Sequence, residues 1–288
     1  MVYFQWGGMN MIKSLVSLNA DLASSIALRY ACQLANLTGM LLQTMHVVEP
    51  EQEGQSPGTG WVRRTWERGL LETAQVEISR LLNAERAACP ALGVPRMSVG
   101  IREDELLREL EDESYDLFVE GILHSFDATS FLRKIRSRLY REAPSSILLV
   151  KNLVIPKNVV LLLEDNVPLR ALILSFLNIV EGAELEVDLL HYKFQSEGRT
   201  EFKIRREGAA SSHPKEPDSI LGSAEEIFAA EGRTVRKCLM VKDTPVKISE
   251  HLEDYSLVVS FLPRQKPLKR PLLDLLARVP SAVLFCRE

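Results

Sequence analysis

The stretch that decides the fold is Tyr115–Lys151, YDLFVEGILHSFDATSFLRKIRSRLYREAPSSILLVK. A short apolar run from Asp116 to Val119 ends at Gly121. A hydroxyl-rich loop follows, then a basic helical segment, then Ala143-Pro144 and a second apolar run, Ile147 to Val150. Strand, loop, helix, strand is half of a parallel α/β unit. The end of the chain nearly repeats it: Tyr115 matches Tyr255, Leu117 matches Leu257 and Pro144 matches Pro280. The run Ser-Ser-Ile-Leu-Leu-Val likewise matches Ser-Ala-Val-Leu-Phe-Cys. An internal repeat of this kind sets the architecture before any single element does.

Working outward, Met11 to Leu18 reads as a first strand. Asn19-Ala20-Asp21 turns the chain and caps a helix whose apolar residues Leu22, Ile26, Tyr30, Leu34 and Leu37 recur at helical spacing up to Gly39. Leu41 to Val48 is a second strand, Glu49 to Gly60 a loop, and Val62 to Ala88 a long amphipathic helix. A short strand at Arg96–Val99 and a charged helix at Glu103–Glu113 lead into the opening stretch. Five strands alternating with four helices imply a parallel sheet covered on both faces. The pattern restarts at Asn158–Leu163, with a helix over Asn166–Val180 and a strand over Leu185–Tyr192. His46 and His191 fall equally far after Asn19 and Glu164. Ser196 to Asp218 is polar and reads as a mobile insertion. A helix at Ile220–Ala230, a strand at Val235–Val241 and a short helix at Val246–Leu252 precede the closing unit. The reading is two domains, 11–152 and 157–288, separated where Pro156 breaks the pattern.

With 288 residues, 46% of them hydrophobic, the chain can build one large or two ordinary cores. A net charge of −4 gives no basic field to recruit nucleic acid. No apolar run reaches membrane-spanning length. The first ten residues lack a secretory pattern and read as a leader or remnant, so a cytoplasmic protein is the simplest expectation. Cys32, Cys89, Cys238 and Cys286 are scattered, with no C-x-x-C, and are expected to be reduced thiols, neither disulfides nor metal ligands.

The strand-turn-helix Leu15-Val16-Ser17-Leu18-Asn19 with Ala27, Tyr30-Ala31 and Leu34-Ala35, the strand Gly39…His46-Val47-Val48, the run Asp116–Gly121, and Ala143-Pro144…Ile147–Lys151 together resemble a tandem universal stress protein. The resemblance implies an α/β fold of two tandem Rossmann-like domains, each an open, five-stranded, parallel, doubly wound sheet. It also implies pairing through the last strands, which a tandem chain forms internally as a pseudo-dimer; a homodimer is a further arrangement. Members that bind ATP do so at the carboxyl ends of the first and fourth strands. They carry an Asp after strand one, then Gly-x-x-Gly and a later Gly-Ser/Thr, because glycines let backbone N–H groups approach phosphate. Here Asn19 and Glu164 replace the Asp, Gly121 is kept, and His124 holds the second glycine position. The third glycine falls near Arg133 to Ile135, and Phe261 stands where Gly121 would recur.

These departures point to a stress-response or regulatory protein with a degenerate ATP motif, no catalytic residue and no metal site, acting on a protein partner that the sequence does not identify. The alternative is a nucleotide- or anion-binding protein, a weak phosphohydrolase at most, holding ATP or another phosphorylated ligand through Asn19, Gly121, His124, Ser125, Thr129, Arg133 and Lys134. Each residue has a plainer reading. Gly121 satisfies a turn, Asn19 caps a helix, Glu164 is solvated, and His46 and His191 are strand-end structural residues. The basic runs Arg133–Arg141 and Arg264–Arg270 are either solvated faces or an anion site, the latter if Arg133 and Lys134 begin their helix and oppose its dipole.

Overall fold

A computed structural model describes residues 11–50, 60–89, 92–123, 128–195, 201–206, 220–264 and 268–287. The first half runs β1 (Lys13–Leu18), α1 (Leu22–Thr38), β2 (Leu41–Val48), α2 (Trp61–Glu85), β3 (Arg96–Val99), α3 (Arg102–Asp112), β4 (Leu117–Gly121), α4 (Ala128–Ile135), α5 (Arg138–Glu142) and β5 (Ser146–Val150). The second runs β6 (Asn158–Leu163), α6 (Leu169–Ile179), β7 (Glu186–Phe194), β8 (Glu201–Arg206), α7 (Ile220–Ala230), β9 (Lys237–Asp243), α8 (Pro245–Glu250), β10 (Leu257–Phe261), α9 (Arg270–Arg278) and β11 (Ala282–Cys286). The strands β1, β4, β5, β6, β10 and β11 are apolar runs buried almost throughout, as strands covered on both faces must be.

The two halves form one sheet. Its order among the described residues is β3-β2-β1-β4-β5-β11-β10-β6-β7-β9-β8. Within each half the strands pair in parallel, except β8. The join is antiparallel, with Ile147, Leu148 and Leu149 opposite Phe285, Leu284 and Val283. Each terminal strand therefore covers the other's open edge. One buried cluster, on the α1/α6 side, contains Leu148 and Val150 together with Leu284 and Cys286. The other contains Ile147 and Leu149 together with Val283 and Phe285. Both cores run without a break from one half to the other.

Buried cations reinforce the join, and they do so reciprocally. Lys151 follows β5 and Arg287 follows β11, at equivalent places in the repeat. The Lys151 Nζ donates to the carbonyls of Leu276 (2.6 Å) and Val279 (2.7 Å) at the C-terminal end of α9 and lies 4.9 Å from the Phe131 ring centre. The Arg287 guanidinium donates to the carbonyls of Tyr140, Arg141 and Ala143 at the C-terminal end of α5. Each half thus supplies a cation to the last carbonyls of a helix in the other. Those carbonyls have no intrahelical donor and carry the negative end of the helix dipole.

Several expectations are corrected. Among the described residues the second half has six strands, not five, because Glu201–Arg206 inside the expected mobile insertion forms β8 on the sheet edge, antiparallel to β9. The alternation of Phe202 and Ile204 with charged residues is the period-two signal of such a strand. The basic segment is two helices, broken at Ser137, whose backbone is extended. α6 starts only at Leu169, after Pro168. Cys32 and Cys89 are not reduced thiols but a disulfide joining α1 to the segment after α2, with Cα atoms 5.3 Å apart; Cys238 and Cys286 are buried thiols outside that disulfide. Among the described residues no helix is long and apolar enough to cross a membrane.

Burial pushes the Lys151 ammonium down to about 7. Between pH 7 and the ordinary lysine range, the unfolded chain holds a proton there that the folded chain has released. Stability therefore rises with pH across this window, by at most about 2 kcal/mol from pH 7 to 9, and is flat below it as far as this group is concerned. Denaturant titration of wild type and Lys151→Met should show this increment only in the wild type. At pH 7 the variant should lose about 1–3 kcal/mol, because two buried carbonyls lose their donor.

Candidate functional site

In the first half the strand order reverses between β1 and β4, which pair with Val16 opposite Val119. Ligands of open α/β sheets enter at such a point, above the carboxyl ends of the strands. A cleft of about 290 Å³ lies there, lined by Ser17, Asn19, Asp21, Arg102, Glu120 and Lys134, among others.

Its floor is closed by backbone. A Cβ on Gly121 would lie 2.0 Å from the Ala23 carbonyl oxygen and 3.2 Å from the Ala27 Cβ. Gly121 is thus the residue that lets the first turn of α1 lie directly on β4. Asp21, not Asn19, caps that turn, its carboxylate accepting from the Ser24 N–H at 2.7 Å. Asn19 contributes its own N–H, donated to the Ser24 hydroxyl at 2.8 Å.

Above the floor sits a buried ionic network. Glu120 is 3% exposed. It accepts from Arg102 at 2.6 Å, from the Tyr140 hydroxyl at 2.7 Å, and pairs with Lys134 at 3.0 Å. Arg102 also donates to the Ser17 hydroxyl at 2.6 Å. Burial alone would raise the Glu120 pKa, but Lys134 and Arg102, then the Tyr140 hydroxyl, outweigh it and hold the carboxyl below its ordinary range. The network sets two cations around one buried carboxylate, with Asp21 in the same cleft and Glu49 beside Arg102 adding negative charge.

The sequence-derived residues fall as follows. Gly121, Asn19 and Lys134 meet in this cleft. Arg133 lines an adjoining cavity of about 270 Å³ with Ser130 and Lys134; Thr129 is exposed in the first turn of α4. His124 and Ser125 lie outside the described residues. Arg133 and Lys134 stand in the last turn of α4, not the first, so their charge suits the helix dipole and carries no electrostatic cost for an anion to relieve. Sequence reading missed Ser17, Arg102, Glu120 and Tyr140. A signal existed for Glu120: it is an acid inside the strand Leu117–Gly121, and a buried carboxylate requires a cation.

The corresponding cleft of the second half, about 280 Å³, is lined by Glu164, Tyr192, Phe261 and Lys269, among others. Glu164 is bonded rather than merely solvated: it accepts from the Tyr192 hydroxyl and from Lys269 at 2.9 Å. The histidines serve the scaffold. His46 Nδ1 lies 2.8 Å from the Leu18 carbonyl oxygen, and His191 Nε2 lies 2.8 Å from Asp165 Oδ1. No group of three or more His, Cys, Asp or Glu among the described residues is arranged to hold a metal ion. The largest cavity described, about 450 Å³ between the C-terminal ends of α6 and α7, lies beside the amino ends of β6 and β7, away from both switch points.

The whole arrangement of paired half-sheets recurs in known structures. A universal stress protein from Archaeoglobus fulgidus superposes with a TM-score of 0.61 at 16% identity, covering 96% of this chain and 96% of that one. The fold is that of the universal stress proteins. A functionally unknown protein from Pseudomonas aeruginosa superposes with a TM-score of 0.56 at 14% identity, covering 96% of this chain and 92% of that one. No family model and no curated protein sequence matches the chain. The universal-stress fold therefore extends across both halves.

Two substitutions test the cleft as a packed element. Gly121→Ala should cost about 3 kcal/mol or more, because the new methyl meets backbone that cannot turn aside. Glu120→Gln should cost about 3 kcal/mol by leaving Arg102 and Lys134 without their buried partner. Urea midpoints at neutral pH read both, and the Glu120→Gln deficit should shrink as acid protonates the wild-type carboxyl.

Proposed function

We propose that this chain is a regulatory protein of the universal-stress type that works by binding rather than by catalysis. Its repeating units are residues 11–152 and 157–288, and its first nucleotide cleft is given over to internal packing. The single observation behind this reading is the cleft floor. The first turn of α1 already lies against Gly121, where an added Cβ would meet the Ala23 carbonyl, and the buried Glu120 engages Lys134 beside it. A phosphate brought to this place would meet a carboxylate that already holds both nearby cations. In the second half, Phe261 puts a side chain where backbone amides would have to approach a phosphate. The described residues at the cleft offer no nucleophile paired with a base and no pair of carboxylates set apart for acid and base roles.

The test is hydrogen exchange of the full chain with and without MgATP, combined with a phosphate-release assay. We expect no added protection at residues 20–24 or 121–123, and no turnover above a protein-free control. Protection confined to these two segments, or measurable turnover, contradicts the reading.

A further inference from the structure

The two basic runs of the sequence do more than send Lys134 and Lys269 to the two switch-point clefts. The first run is divided by the fold. Lys134 turns to Glu120, and Arg138 is held by Asp104 and by Glu142 at 2.8 Å. Arg136 and Arg141 point elsewhere, into a cavity of about 350 Å³ on the α4/α9 side of the join between the halves. Arg264, from the second run, lines the same cavity and crosses the join to donate to the Pro144 carbonyl at 3.0 Å. Three guanidiniums from two halves of the chain therefore share one pocket. Arg136 and Arg141 form no ion pair among the described residues. Among the described lining residues the only acid is Glu142, already bonded to Arg138.

A fourth guanidinium stands behind them. Arg287, 4% exposed, binds the carbonyls of Tyr140 and Arg141, two of the lining residues, and its Nε has no partner among the described residues. The charge of Arg264 acts against that of Arg287. Like charges brought together across a seam are relieved by a bound anion. The remaining wall is apolar: Leu262, Leu268 and Leu273, with Ile135 and Pro263. An apolar wall with a few convergent polar groups is the usual form of a small-molecule site, and arginine is the side chain best suited to phosphate oxygens.

We propose that this pocket binds phosphorylated small molecules, the phosphate against Arg136, Arg141 and Arg264 and a compact ring or apolar portion against Leu262 and Leu268. The site is separate from the switch-point cleft and needs both halves, so its ligand favours their paired state. It does not depend on whether that cleft binds ATP.

The experiment is calorimetric titration of the full chain at low salt with inorganic phosphate and with phenyl phosphate. Phenyl phosphate should bind about tenfold tighter, because its ring leaves water for the apolar wall. The double variant Arg136→Gln/Arg141→Gln should weaken both ligands on the order of 100-fold, since two charge-assisted contacts are gone. Arg133→Gln, which alters only the neighbouring cavity, should leave both unchanged. If the double variant fails to fold, Leu268→Glu replaces it: an acid in the wall should abolish binding while every arginine remains. No binding by the wild type, equal affinity for the two ligands, or loss in Arg133→Gln with retention in the double variant would each overturn the proposal.

Discussion

The antiparallel pairing of β5 with β11 is the constraint on which the rest of the molecule depends. A doubly wound sheet ending at β5, or at β11, would leave an apolar edge with free backbone donors and acceptors. Joining the two edges removes both at once and makes the two faces of the sheet into two continuous cores. Lys151 and Arg287 then secure the join from either side, each at the C-terminal end of a helix belonging to the other half. Burying a cation is costly, and this geometry offsets part of the cost with several carbonyls in place of an acid, the rest showing in the lowered pKa of Lys151.

The same economy of space explains the first cleft. Gly121 allows α1 to rest on β4, and Glu120 gathers Arg102, Lys134, Tyr140 and, through Arg102, Ser17 from four elements. A buried network satisfied in this way fixes one arrangement of α3, α4 and α5 about the strand ends. It also leaves Arg136 and Arg141 on the far side of α4 and α5, facing the seam rather than the switch point. Fold and charge placement are thus linked: what closes one cleft opens the other with arginines.

Much of the fold was legible in the sequence because buried parallel strands are near-continuous apolar runs, and Leu15–Leu18, Leu117–Val119 and Ile147–Val150 read as nothing else. The repeat showed Lys151 and Arg287 to be equivalent, but not what they bind, since the carbonyls lie in the other half. β8 was hidden by the polar residues around it, although Phe202 and Ile204 alternate as a strand should. The pairing of Cys32 with Cys89 crosses 57 residues and carries no local motif. In the cleft, Gly121 was visible but its reason was not, because Ala23 reaches it only through the packing of α1. The roles of Arg133 and Lys134 turned on where α4 begins, a boundary that a loop with few local signals leaves open.

Hydrogen exchange under native conditions tests most directly whether the join makes one cooperative unit. The amides at the β5–β11 seam, among residues 147–149 and 283–285, should be among the slowest in the chain. Their opening free energy should equal that of global unfolding and move with denaturant at the global slope. Seam amides that exchange through a smaller opening, while the central strands of each half stay protected, would show that the halves are separate units merely in contact.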